Sequence, residues 1–500
     1  MRTQQETNDD TLVPLVQQQK RSLFLSVVVI LTMKTTLSSL LTLLLLAVVT
    51  QQQLTAAFAP PPTRQRFCRS ALLAASSSSD DNANNKNNDS LFLASLRQRQ
   101  QELQNDVVER VNKWKTADCA SGVQLVLPNW VRRLDVATWP FVATGSACGD
   151  VYVGNLETGQ VIAIGQVQEE NKHDDDETEF QLAKRLDKVV RVLFNGYDGG
   201  GTLAMAFDGN LICEGRRSGG VYVWRWDQDS DRLVPQGSIP GVGDDTLVTA
   251  LHLDQDYLWV GTVDGHLQAY SLLDDEYPLA LQQTPEMAWQ FGETITDLSI
   301  HTTSGAVATA AGAVHLFSLE DEDAVLGSFY PPFDATERKS VQAFASSVAF
   351  VEMNGSSSSN NNNNNKASTD KNKDMEAVDN QQGLFVACGG NDGSIFLQPV
   401  ALTSTGEVDV QRPFAKPLRP LRPRHFGPCK CLASPLPGIL VSAGQDGGMR
   451  VWDVAESMCL YQFVGYKVWM GSLWTDGERL VSDGADNTVI VHDFTKGSEP

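Results

Sequence analysis

The chain has 500 residues, of which 42% are hydrophobic and 20% are charged, a balance typical of a soluble globular protein rather than a disordered one. Residues 1–116 contain 13 Lys and Arg against 9 Asp and Glu, whereas the rest contains 26 against 52, and the formal net charge is −22. Because nucleic-acid phosphates require compensating positive charge, this acidic body argues against general nucleic-acid binding.

The N-terminal region, residues 1–57, has the pattern of a signal peptide or a membrane-inserting segment. Residues 23–49 are almost wholly apolar, interrupted by Lys34, and are long enough for one membrane span. If translation instead begins at Met33, then Met33 and Lys34 form a basic start, residues 37–49 an apolar core and residues 55–57 a small-residue cleavage site.

The segment that follows resembles the second part of a plastid-targeting presequence. Phe-Ala-Pro at 58–60 precedes three arginines and five serines within residues 64–79, and no acidic residue occurs there before Asp80. The arrangement is similar to the bipartite signal-plus-transit presequences of algae whose plastids lie inside extra membranes. The resemblance covers residues 33–79 and implies import into a plastid.

Two other destinations stay open. Plain secretion is one, since Asn88 and Asn354 each begin a glycosylation sequon. The other is a membrane-tethered protein in which residues 23–49 are retained.

A helix is predicted at residues 91–116, after a transit-like, disordered linker at 58–90. Apolar residues recur there at steps of seven, four, four and three, which places them on one face of a helix. The members of this stripe are Leu96, Leu103, Val107, Val111 and Trp114. Such a stripe packs on its own domain or docks a partner helix.

From residue 120 onward the sequence repeats itself seven times. Each repeat has an apolar strand, a tight turn that contains glycine, and a second apolar strand that often ends in an aromatic residue. The repeats lie at 141–153, 211–224, 257–270, 306–317, 384–397, 440–453 and 480–493. Their spacing fits the roughly 40–45 residues of a four-stranded propeller blade once a disordered insert at 354–382 is set aside. The pattern predicts an all-β, seven-bladed β-propeller over residues 120–497.

The sixth repeat carries a family resemblance. Gly447-Gly-Met-Arg-Val-Trp-Asp453 is close to the signature of WD40 proteins, and Val223-Trp224 and Val491-His-Asp493 are weaker matches. The resemblance implies a non-catalytic scaffold for protein–protein interactions. No repeat has a Gly-His dipeptide before its blade, which argues against the family's internal Asp-His-Ser/Thr-Trp network and favours apolar packing between blades.

Closure of the ring is also predicted. The seventh repeat leaves no room for a fourth strand before Pro500, and residues 122–127 form a strand-like run just before the first repeat. We expect this run to complete the last blade, because closure shelters sheet edges that would otherwise invite aggregation.

No pattern for catalysis, a cofactor or a metal is recognisable. The seven histidines lack metal-ligand spacing, Cys429 and Cys431 are the one close cysteine pair, and the sparse thiols suit a reducing compartment. The acidic run at 169–177 is interpreted as a solvated insertion rather than a calcium loop. We therefore expect a monomeric propeller that is not an enzyme; the rival hypothesis is an enzyme with a site in the central channel.

One face of the propeller is the predicted partner-binding surface, because in WD40-type blades the turns between second and third strands share a face with the interblade connections. Its candidate residues are Arg216, Arg217, His266, Gln445, Arg412, Lys416, Arg419, Arg422 and Arg424. Asp264, Asn391 and Asp446 are expected on the same face, and His266 is also a candidate for the central opening.

The last five of these candidates, with His425, belong to a basic, proline-rich stretch at residues 412–428. On an acidic body, this stretch favours an acidic partner segment, and its prolines favour an extended, semi-rigid chain. A solvated interblade loop is the alternative.

Overall fold

The strands of the protein are arranged as a seven-bladed β-propeller. The computed structural model describes residues 85–166, 201–216, 219–239, 242, 246–254, 256–272, 284–320, 324–333, 344–353, 383–403, 407–415, 418–466, 470–485 and 487–497. In chain order, strands one to thirteen are β1 Ala120–Val126, β2 Val131–Thr138, β3 Phe141–Ser146, β4 Val151–Asn155, β5 Gln160–Gly165, β6 Thr202–Phe207, β7 Leu211–Arg216, β8 Val221–Asp227, β9 Arg232–Ser238, β10 Val248–Leu253, β11 Tyr257–Thr262, β12 His266–Ser271 and β13 Met287–Gln290. The others are β14 Ile295–His301, β15 Ser304–Thr309, β16 Val314–Ser318, β17 Val325–Phe329, β18 Ala345–Met353, β19 Gly383–Gly390, β20 Ile395–Val400, β21 Arg419–Leu421, β22 Cys429–Leu436, β23 Ile439–Gly444, β24 Met449–Asp453, β25 Met458–Phe463, β26 Leu473–Thr475, β27 Arg479–Ala485 and β28 Thr488–Asp493.

Each blade is one four-stranded antiparallel sheet. Blades 1 to 6 are β2–β5, β6–β9, β10–β13, β14–β17, β18–β21 and β22–β25, and blade 7 combines β26, β27, β28 and β1. The first strands of successive blades contact one another and line a central channel. The seven predicted repeats correspond to the second and third strands of the blades, so the predicted fold is confirmed.

Apolar side chains fill the interfaces between blades. Seven buried clusters each join two neighbouring sheets, from blades 1 and 2 round to blades 7 and 1. Between blades 3 and 4, for example, the rings of Trp289 and Phe317 lie 4.9 Å apart at their centroids. The alternation of apolar residues along the strands supplies both faces of each sheet for this packing.

The ring is closed by the N-terminal strand, as predicted. β1 pairs with β28 from Ala120 opposite Asp493 to Val126 opposite Thr488. The Ser121 hydroxyl also lies 2.6 Å from His492 Nδ1. The outer strand of the last blade therefore comes from the beginning of the propeller, and its pairing leaves β28 without a free edge.

A helix, α1 (Asn85–Thr116), precedes the closing strand and begins six residues before the predicted start. Trp114 is fully buried, stacks on Phe494 with centroids 3.8 Å apart, and donates its indole N–H to the carbonyl of Gly477 at 2.8 Å. Leu103, by contrast, is 60% exposed. The predicted apolar stripe thus packs on its own domain at its C-terminal end, with Leu103 open to solvent.

Several predicted segments lie outside the described residues, namely residues 1–84, the acidic run at 169–177 and the insert at 354–382. Among the helices that the structure describes, none combines the length and the apolar character needed to cross a membrane.

Replacement of Trp114 by Ala removes the most deeply buried side chain by which α1 contacts blades 6 and 7. We expect Trp114→Ala to lower the free energy of unfolding by about 3–5 kcal/mol, because a large buried ring is lost. The matched control is Leu103→Ala in the same helix, whose effect should stay within about 0.5 kcal/mol. The measurement is the midpoint of urea unfolding by circular dichroism; equal midpoints for the two variants would show that the burial of Trp114 does not stabilise the propeller.

Candidate partner-binding site

A buried hydrogen-bond network lies in blade 6 and ends at the connection to blade 5. Trp452 Nε1 donates to Ser442 Oγ at 2.8 Å, and Ser442 Oγ lies 2.8 Å from His425 Nε2. His425 Nδ1 lies 3.0 Å from Asp446 Oδ1. The expectation that blades lack an Asp-His-Ser/Thr-Trp network is therefore wrong for blade 6. His425 follows arginine instead of glycine, so the absence of a Gly-His dipeptide did not mean that the histidine was missing.

The protonation of the network follows from its donors. An ionised Asp446 can only accept, so His425 Nδ1 carries the proton that donates to it, and Nε2 of the neutral ring accepts from the Ser442 hydroxyl, which itself accepts from Trp452. Burial lowers the pKa of His425, which favours this neutral form. Burial alone would raise the pKa of Asp446, but the hydrogen bond from His425, with the amide of Phe426 and the charge of Arg450, holds it below its ordinary value.

The network anchors the connection between β21 and β22, residues 422–428, which we call the blade 5–6 loop. The amide of His425 donates to the carbonyl of Gly393 at 2.9 Å, and the amide of Phe426 donates to Asp446 Oδ2 at 3.0 Å. The amide of Gln445 donates to Pro428 at 2.9 Å. The loop is thus fixed to the turns between second and third strands of both blades.

Phe426 projects from this anchored loop. His425 is fully buried, whereas the next side chain, Phe426, is 92% exposed. Aromatic residues are enriched at protein–protein interfaces relative to the rest of the protein surface. The backbone on both sides of Phe426 is held by hydrogen bonds, so the ring is presented from a defined position.

The predicted basic stretch at 412–428 is not a single interblade loop. Residues 419–421 form β21, the outermost strand of blade 5. Residues before it connect β20 to β21 and leave the blade at the opposite end of β20 from the turn at Gly393. Because strands in the sheet are antiparallel, Arg412 and the blade 5–6 loop lie on opposite sides of the blade, and Lys416 lies outside the described residues.

Three predicted residues do come together at the blade 5–6 loop. Arg422 is exposed, Arg424 is half-buried, and Gln445 lies in the adjoining turn of blade 6. Arg419 starts β21, with its guanidinium 4.9 Å from the centroid of the Phe385 ring. The loop therefore combines an exposed aromatic ring with nearby guanidinium groups.

The remaining candidates lie elsewhere. Arg216 is only 8% exposed; its guanidinium donates to Glu214 at 2.8 Å and to the carbonyl of Gly149 at 2.7 Å, and so holds the turns of blades 1 and 2 together. Arg217 lies outside the described residues. His266 is exposed at the start of β12, a third strand, and does not line the central channel, because first strands line it.

The central channel has a volume of about 470 Å³ and is lined by the first strands of the blades. Asp135 accepts amide hydrogen bonds from Val136 and Phe207, and Asp297 accepts them from Leu298 and Val348. Burial raises the pKa of Asp135 to about 6 and that of Asp297 to about 7. Each carboxylate links the first strand of its blade to that of the next.

Two histidines line the channel, and sequence reasoning placed neither of them there. Burial lowers the pKa of His252, and His301 Nε2 lies 3.0 Å from a carboxylate oxygen of Glu352. Within the described residues, no group of three His, Cys, Asp or Glu side chains is arranged to hold a metal ion. The seven cysteines of this part of the chain, including Cys429 and Cys431, are free thiols.

Phe426 and the network of His425 were the main features missed from the sequence. A signal existed for the network: His425 precedes a repeat that ends in the Trp452-Asp453 signature. No signal marked Phe426 as exposed, since a lone phenylalanine in a proline-rich stretch equally fits a buried position.

No family model matches the chain, and no curated protein matches it. The fold and the geometry of the blade 5–6 loop are therefore the basis on which a function is assigned.

Replacement of Ser442 tests the network that anchors the loop. Ser442→Ala leaves His425 and Trp452 without their shared partner, and we expect a loss of about 2–5 kcal/mol in the free energy of unfolding from two buried unpaired groups. Ser434→Ala, which removes one half-buried hydroxyl bond to Ile439 in the same blade, should cost about 1 kcal/mol or less. Urea unfolding compares the two, and equal losses would mean that the network adds nothing to stability.

Proposed function

We propose that this protein is a WD40-type, non-catalytic scaffold that binds protein partners at the blade 5–6 loop. The observation that supports it is the contrast between buried His425 and exposed Phe426 on one anchored loop. Binding sites gain affinity when the contacting residues are held in place beforehand, because less conformational entropy is lost on association. A β-propeller fold, common among interaction proteins, provides the rigid support.

The chemistry of the loop favours a partner segment with an apolar residue next to acidic residues. Phe426 offers an apolar surface, and the Arg422 guanidinium is exposed and makes no ion pair within the described residues. Residues 117–500 carry a net charge of −26, so an acidic segment is repelled over most of the surface and attracted only locally. Aromatic and arginine side chains are also those that most often dominate binding energy.

The proposed site is tested by photo-crosslinking in cells. A photo-reactive phenylalanine analogue at position 426 should capture a discrete partner segment, whereas the analogue at position 410 should not. Val410 is 64% exposed but lies in the connection at the other end of β20. The captured segment is then synthesised as a peptide for affinity measurements.

Affinity measurements with this peptide separate a binding site from mere proximity. Phe426→Ala should weaken binding about 30-fold, which corresponds to about 2 kcal/mol, and Arg422→Glu should weaken it in a salt-dependent manner. Val410→Ala should leave the affinity unchanged. The proposal fails if positions 426 and 410 capture the same material, or if Phe426→Ala binds the peptide as tightly as the unaltered chain.

We also propose that residues 33–79 address the scaffold to a plastid, on the strength of the signal-like and acid-free basic segments. The mature N-terminus of a C-terminally tagged chain, determined by mass spectrometry, should then lie beyond residue 57 and near 64–79. A chain that retains residues 23–49 would contradict this address and favour a membrane-tethered adaptor.

A further inference from the structure

The first strands of blades 1 to 6 share a β-bulge. Each pairing register skips one residue near the start of the strand, so that this residue has no partner on the second strand. The skipped residues are Arg132, Leu203, Thr249, Thr296, Ser346 and Lys430. A bulge redirects the side chain of the extra residue, so these six positions are structurally equivalent.

In blades 3 to 5 the bulge residue has a structural role. Thr249 Oγ1 donates to the carbonyl of Ile295, and Thr296 Oγ1 donates to that of Ala345 at 2.7 Å. Ser346 Oγ donates in the same way to Cys429. In each case a small hydroxyl side chain joins its blade to the first strand of the next one.

Lys430 occupies the equivalent position in blade 6. Its side chain does not form the hydrogen bond that joins one blade to the next in blades 3 to 5. Its side chain lines the central channel, and its ammonium group makes no hydrogen bond or ion pair with the described residues. The fold accepts serine or threonine here in three other blades. A lysine at this position is therefore not explained by the packing of the blades.

Arg133 brings a second cation to the same part of the channel. It lies on blade 1, and its guanidinium reaches over Gly471 of blade 7, where an added Cβ would collide with it. Its observed hydrogen bond is to the neighbouring carbonyl of Arg132 at 2.9 Å, and it makes no ion pair within the described residues. Blade 7 separates blades 1 and 6, so Arg133 extends across it toward Lys430.

The carboxylates around the channel do not neutralise these cations by direct contact. Asp135 and Asp297 each accept two backbone amides, and Asp483 accepts those of Gly471 and Ser472. These bonds direct the carboxylates to the strands. Lys430 and Arg133 therefore remain available to a ligand inside a 470 Å³ cavity, a volume within the usual range of small-molecule sites.

We propose that Lys430 and Arg133 form a binding site in the central channel for a small oxyanion, a carboxylate or a phosphate. Guanidinium and ammonium groups bind such anions through charge-assisted hydrogen bonds. The pKa of Lys430 is lowered to about 8, first by burial and then by the charge of Arg133. A bound anion offsets both effects, which is the behaviour of a site built to receive negative charge.

Calorimetric titration of the full chain tests the site with two probes, inorganic phosphate and succinate, at constant ionic strength. We expect at least one probe to bind, and Lys430→Ser to weaken that binding at least tenfold. Serine is the residue that blade 5 has at this position, so the variant keeps a side chain that the fold already uses. Binding of phosphate alone or succinate alone would identify which oxyanion class the channel prefers.

The controls separate the site from general charge and from misfolding. Lys496→Ser removes a lysine that is exposed and paired with Asp493 outside the channel, and should leave binding unchanged. Lys430→Arg keeps the positive charge and should retain binding, so this variant decides the matter if Lys430→Ser does not fold. The proposal is overturned if neither probe binds, if Lys430→Ser binds as the unaltered chain does, or if a folded Lys430→Arg loses binding. Phe426→Ala should not change anion binding, which keeps this test independent of the partner site.

Discussion

The pairing of β1 with β28 is the constraint on which the rest of the structure depends. A ring of sheets buries all its faces only if the last sheet meets the first, and six of the seven blades are built from strands that follow one another along the chain. Blade 7 alone joins residues more than 350 positions apart. Its contacts with α1, through Trp114 on Phe494 and Gly477, act at the same place. The segment before the propeller thus stabilises the closure as well as preceding it.

Closure also creates the channel, because the first strand of every blade then faces the centre. Such strands have backbone groups on their inner edge that no further strand can pair. Asp135 and Asp297 satisfy amides of the neighbouring blades, and the hydroxyls of Thr249, Thr296 and Ser346 bond to carbonyls. Burial disfavours the charged form of these two carboxyl groups, and their pKa values are raised for this reason. Once the backbone groups on this inner edge have hydrogen-bond partners, a charged side chain at a bulge position is not needed to join neighbouring blades.

The sequence was sufficient for the fold because the fold is periodic. Repeated apolar runs with glycine turns located second and third strands in all seven blades, and the leftover run at 122–127 identified the closing strand. The sites were predicted less well, because they depend on single residues. Arg216 resembled a surface residue but is buried against Glu214, and β21 divided a stretch that looked like one loop. The repeating pattern of the sequence does not indicate where a strand has a bulge, so Lys430 and Arg133 could not be placed in the channel from sequence.

Blade 6 connects stability with the proposed partner-binding site in a way that the other blades do not show among the described residues. Its network fixes His425, and Asp446 also accepts the backbone amide of the next residue, Phe426. The same carboxylate that stabilises the blade thus also holds the backbone of the exposed Phe426. Because the backbone at Phe426 is already held, less backbone entropy is lost when a partner binds there than on a mobile loop. Burial of the His425–Asp446 pair has a free-energy cost when considered alone. In this blade the same pair also holds the backbone next to the exposed Phe426 in a defined position.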